Sequence, residues 1–166
     1  MALPNTIGEL FELSIALEHA AETFYRGLAV KFAGEQEIAL FWKILEHEEA
    51  GHARFLETLL ERLSEDKLRS PAPAELLAAA RRLLQVSPES MLMDVTNLEE
   101  AYRIAIETEN SETNLIFEAL VTDFAVTSQA VHFLKVQLKE HADRVQRAFP
   151  SRFDSTQARL AVKARG

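Results

Sequence analysis

The chain has 166 residues with no cysteine, five glycines, five prolines and a formal net charge of −8. That is the length of one domain, enough to bury a core without covalent staples. The missing cysteines exclude disulfides, thiolate metal sites and thiol catalysis, and the acidic balance argues against nucleic acid or an anionic membrane as partner. The longest stretch free of charged residues, Phe124 to Leu134, is about half of the ~20 residues a membrane helix needs. No basic segment precedes an apolar N-terminal region, so the expected location is the cytoplasm.

In chain order, Thr6-Ile7-Gly8-Glu9 has the form of a capping box. Behind it Ile7, Leu10, Phe11, Leu17, Ala21, Phe24, Tyr25, Leu28 and Phe32 keep one helical stripe, which Gly34 closes. A second stripe runs through Ile38, Phe41, Trp42, Leu45, Phe55, Leu56, Leu59 and Leu63. Residues 64–97 carry Pro71, Pro73 and Pro88, and only Glu75 to Gln85 reads as helical there. Thr96-Asn97-Leu98-Glu99 forms a second capping box before a third helix bearing Leu98, Ala101, Ala105, Ile116, Ala119 and Leu120. A fourth stripe, Val131, Leu134, Leu138, Val145, Ala148 and Phe149, ends at Pro150, and a basic tail occupies residues 150–166.

Four long amphipathic helices joined by a tight, a long and a tight connection predict an all-α four-helix bundle over residues 1–149. The two tight turns make two antiparallel hairpins, and the segment at about 64–97 is the crossover between them. The apolar side chains of that crossover, among them Leu76, Leu77, Leu83, Met91 and Met93, either cover the bundle or form a subunit interface.

Polar residues interrupt each stripe at one level. Glu18 does so on the first helix, Glu49 and His52 on the second, Glu109 and Glu112 on the third, and His141 on the fourth. Carboxylates are almost never buried without a compensating partner. Four of them with two histidines call for a cation as the balancing charge. Glu49-x-x-His52 has the i, i+3 spacing that sets both side chains on one helix face. Glu107 competes with Glu109 if Ile104-Ala105-Ile106-Glu107 is aligned with Ile15-Ala16-Leu17-Glu18. The face shared by Ala105, Glu109, Glu112 and Ile116 favours Glu109.

The two hairpins also repeat each other. Glu18 and Glu109 are 91 residues apart, and His52 and His141 are 89 apart. Tyr25 reads as a core aromatic whose hydroxyl bonds one of the inward carboxylates, and Ile116 stands at its place in the second half.

The run Glu18 to Tyr25 (EHAAETFY) with Glu48-Glu49-Ala50-Gly51-His52 resembles the rubrerythrin family of ferritin-like proteins. The resemblance implies a ferritin-like bundle in which two irons are held by one Glu from each of the first and third helices and a Glu-x-x-His from each of the second and fourth. By position it assigns Glu18, Glu49, His52, Glu109 and His141 as ligands, with Glu112 as the additional carboxylate of the third helix. It also implies peroxidase or ferroxidase chemistry on hydrogen peroxide, dioxygen or ferrous iron, and a homodimer. Two features depart from the pattern. Leu138 replaces the Glu expected in Leu138-Lys139-Glu140-His141, and the cysteines of a rubredoxin-like module are absent, so a separate protein must donate electrons. The alternative expectation is a non-catalytic bundle with a degenerate mononuclear site at Glu18, Glu49 and His52. Zinc or manganese competes with iron for such a ligand set.

Overall fold

The computed structural model describes residues 3–109, 111–124 and 136. Two long helices form its frame, α1 (Ile7–Lys31) and α2 (Gln36–Arg62). Thr6 caps α1 as its sequence predicts, its hydroxyl accepting from the Glu9 amide at 3.3 Å. The Glu9 carboxylate reaches back to the Asn5 amide at 2.5 Å, one residue earlier than a standard box. Asn5 takes the left-handed conformation (φ 61°), which asparagine tolerates better than most residues. The turn at residues 32–35 sends α2 back alongside α1. The direction shows in two cross-helix pairs, Arg26 with Glu46 and His19 with Glu57, which run in opposite order along the two helices.

The crossover holds more helix than the sequence pattern predicts. It contains α3 (Glu65–Arg69), α4 (Ala74–Leu83) and α5 (Pro88–Asp94). Ser64 and Ser87 cap α3 and α5 by accepting from the amides of Lys67 and Ser90, and Pro88 enters α5 at its first turn, where a missing N–H costs nothing. The serine caps were the available signal, outweighed in the sequence by the prolines. The crossover lies on the bundle and buries Leu77, Ala80 and Val95. Arg81 fixes α4 to the start of α1 by a two-pronged pair with Glu9 at 2.7 and 2.8 Å. Lys31 Nζ donates to the Leu92 carbonyl of α5 at 2.8 Å.

The third amphipathic segment is two helices rather than one, α6 (Leu98–Glu109) and α7 (Glu112–Phe124). The α6 cap is Asn97, whose side chain accepts from the Glu100 amide at 2.9 Å, one residue beyond the cap expected at Thr96. At the far end, short polar side chains compete for the backbone. Asn114 Nδ2 donates to the Glu109 carbonyl at 2.6 Å, and Ser111 Oγ accepts from the Thr113 amide at 3.3 Å. Apart from Val136, the predicted fourth helix, with Leu138 and His141, and the tail lie outside the described residues.

Two apolar clusters fill the interior. One gathers Phe24, Tyr25, Leu28, Trp42, Leu45, Ile104 and Ala105. The other gathers Leu10, Phe11, Leu56, Leu59, Leu77, Ile116 and Phe117. On α1 and α2, Glu18, Glu49 and His52 fall between the positions that feed the two clusters.

Candidate metal centre

Glu18, Glu49, His52 and Glu109 are all buried. Each takes a stripe position where its helix offers no alternative to facing inward. Glu18 sits between Leu17 and Ala21 on α1, and Glu49 and His52 between Leu45 and Leu56 on α2. Burying them alone would cost several kcal/mol per charge.

Three of the four converge. Ligand atoms of Glu18, Glu49 and His52 all lie within 4.8 Å of one another. His52 Nδ1 is 3.0 Å from Glu49 Oε2 and 3.5 Å from Glu18 Oε2. The His52 ring packs against Phe117 of α7, with centroids 5.0 Å apart. Phe117 has no polar group to mark it in the sequence, and the break before α7 changes which side chains of that segment face α2. The adjacent apolar pair Ile116-Phe117 was the only hint of it.

Glu109 closes α6 and accepts a short hydrogen bond from the Tyr25 hydroxyl. Its rival Glu107 points outward, with a side chain 53% exposed and paired with Arg103 at 3.0 Å. Glu112 is the first residue of α7, and its side chain is not among those described. His141 lies outside the described residues. His19 is on the surface beside Glu22.

The electrostatics of the cluster follow from burial. Desolvation pushes the Glu18 carboxyl from 4.5 up to about 8, with the neighbouring Glu49 adding to the rise and His52 opposing it. For His52 burial works against the charged ring, yet hydrogen bonds to Glu18 and Glu49 outweigh it and raise the imidazole to about 10. Burial likewise lifts the Tyr25 phenol well above its usual range, with the Glu109 charge adding to it, so Tyr25 stays a hydrogen-bond donor. The metal-free cluster therefore holds protons at neutral pH.

The rubrerythrin family model matches residues 9–149. The chain belongs to the rubrerythrin family. No curated protein and no solved structure matches it. The match covers the ferritin-like domain, with which the all-helical, strand-free architecture of the described residues agrees. Rubrerythrin membership implies iron binding, and the residues present fit a cation. Among the described residues Glu18 Oε1 is buried with no hydrogen-bond partner, a state that costs free energy unless a ligand occupies it. The donor set of carboxylate oxygens and an imidazole suits iron, manganese or zinc. Among the described residues no helix is long and apolar enough to cross a membrane.

Proposed function

We propose that this rubrerythrin-family chain is a non-haem di-iron protein that reduces hydrogen peroxide or oxidises ferrous iron. The observation that carries this reading is the convergence of three buried donors, from Glu18, Glu49 and His52, within 4.8 Å of one another. Glu18, Glu49 and His52 would hold one ion. Glu109, Glu112 and His141 would hold the other, with Glu49 shared between them. Bound ferrous iron would supply the electrons that take peroxide to water. The chain's own part is to hold donors that give up their protons to the ion, in a buried layer between two apolar clusters where charge–charge attraction is strong. Tyr25 orients Glu109, and Phe117 holds the His52 ring in place. With no cysteine in the chain, reducing equivalents come from a separate donor protein. A cytoplasmic homodimer is the working assembly.

Metal analysis of protein purified from iron-supplemented cells, compared with His52→Ala, tests the reading. Stoichiometric iron in the parent chain, lost in the variant, is the expected result, together with oxidation of the reduced protein by peroxide. A parent chain without stoichiometric metal overturns it.

Leu138 favours a second reading, because it removes a bridging carboxylate and one negative charge from the second position. In that reading the bundle is a non-catalytic metal-binding or interaction domain with a single ion, such as zinc, at Glu18, Glu49 and His52. One metal per chain with no reaction toward peroxide distinguishes it.

A further inference from the structure

Ser14 is fully buried on the inward stripe of α1, and among the described residues its Oγ has no hydrogen-bond partner. A hydroxyl inside a helix ordinarily bonds the carbonyl four residues earlier. Thr58 and Thr108 do so, donating to the Arg54 and Ile104 carbonyls at 2.8 and 2.9 Å. Ser14 makes no such bond to Leu10, and its stripe neighbours Phe11 and Leu17 belong to the second apolar cluster. Alanine would fill that place at less cost, because an unmet buried hydroxyl is unfavourable. One turn further along the same face stands Glu18, also buried. Residues four apart on a helix are neighbours, with Cβ atoms about 6 Å apart. Helical side chains lean back toward the N-terminus, which carries the longer Glu18 side chain over the turn of Ser14. Glu18 is engaged on the side of α2, where its Oε2 lies 3.5 Å from His52 Nδ1 and Glu49 is within reach.

We propose that Ser14 is a positioning residue for the metal centre, its hydroxyl donating to the Glu18 carboxylate once that carboxylate holds a cation. This rests on the metal-binding reading above and adds a residue outside the ligand set. In the metal-free chain the Glu18 carboxyl is turned to Glu49 and His52, and no bond joins it to Ser14. A carboxylate that binds an ion through one oxygen keeps lone pairs on the other, and in a buried layer those need a donor. A hydroxyl bound to a charged acceptor makes a stronger bond than one bound to a neutral group. Ser14 stands one turn away with its proton uncommitted. The bond is therefore made in the loaded state alone, so it adds to affinity for the ion and not to the stability of the metal-free chain. Ser14 acts through Glu18 without touching the ion.

Two measurements on the full chain with Ser14→Ala test the proposal. The first is the urea midpoint of the metal-free protein, which is expected to stay the same or rise, because the variant loses a hydroxyl that bonds nothing. The second is cobalt(II) titration, in which the variant should bind the first equivalent about tenfold more weakly than the parent. Ser14→Thr keeps the hydroxyl and should restore the affinity. Should the threonine fail to fold, as judged by circular dichroism, the opposite behaviour of stability and affinity in the alanine variant decides the matter. A lowered midpoint in metal-free Ser14→Ala overturns the proposal, since the hydroxyl would then serve the fold itself. Unchanged cobalt affinity in Ser14→Ala overturns the role of Ser14 and leaves the metal site standing. A parent chain that binds no cobalt overturns both.

Discussion

The Tyr25 hydroxyl on α1 donates to the Glu109 carboxylate at the end of α6, a bond between residues 84 apart in sequence. It ties the first helix to the third amphipathic segment at the level of the acidic cluster. Stacking on Trp42, with ring planes 10° apart and centroids separated by 6.1 Å, holds the Tyr25 ring in place for it.

Removing that hydroxyl leaves a buried carboxylate oxygen without its donor. Tyr25→Phe is expected to destabilise the metal-free protein by about 2 kcal/mol, the range for a hydrogen bond to a charged group. Urea denaturation followed by circular dichroism measures it. A loss below about 0.5 kcal/mol, the lower limit for a net hydrogen bond, would show that the bond contributes little.

The metal-free protein should lose stability as pH rises. Glu18 titrates higher in the folded chain (about 8) than at its ordinary 4.5, so its contribution is full below pH 4.5 and gone above about 8. His52, raised from 6.5 to about 10, contributes fully below pH 6.5 and loses its share as pH passes about 10. Both slopes have the same sign. A cation requires deprotonated donors, so its binding releases protons and tightens over the same range. Urea midpoints of metal-free protein, compared at about pH 5 and about pH 9, should fall, while metal affinity rises. A flat or rising midpoint contradicts the protonated cluster.

Glu18→Leu separates the cost of the buried acid from its use. Leucine removes a buried carboxyl with an unpartnered oxygen and leaves the Glu49–His52 pair at 3.0 Å. The metal-free variant should gain about 1 kcal/mol. It should also lose the stabilisation that metal gives the parent chain, about 2.7 kcal/mol at a hundredfold excess over Kd. Thermal unfolding with and without added metal reads both changes, and a variant that metal still stabilises as much as the parent would remove Glu18 from the site.

Gly27 lets the crossover settle on α1. A Cβ built there would lie 2.2 Å from Leu92 Cδ1, so the Leu92 side chain of α5 must shift to admit any larger residue. Gly27→Ala gains about 1 kcal/mol of helix propensity and meets an overpacking cost of about 1–3 kcal/mol. The net expectation is a destabilisation of about 1 kcal/mol. Adding Leu92→Ala should relieve the clash, so the double variant falls short of the sum of the two single losses. Strict additivity would mean that Leu92 simply rotates away.

Much of the framework was legible in the linear pattern. The stripes of α1 and α2, the Thr6 cap and the level at which Glu18, Glu49 and His52 turn inward all follow from spacings of three and four residues, which are local and survive without a partner. The sequence was less informative wherever short polar side chains compete with the backbone. Ser64, Ser87 and Pro88 start helices in a segment that reads as broken, and Ser111 with Asn114 divides a stripe that reads as continuous.

Sequence by itself determined that acids and a histidine interrupt apolar faces at one level, and that Tyr25 and Ile116 occupy matching places in a repeat. Only the tertiary structure decided what those residues meet. It turned Glu109 inward and Glu107 outward, aimed the Tyr25 hydroxyl at Glu109, set Phe117 against His52 and seated Leu92 on Gly27. Periodicity fixes the side of a helix on which a residue lies. The partner across the core depends on where neighbouring helices start, break and cross, and those contacts join residues tens of positions apart that no local spacing relates.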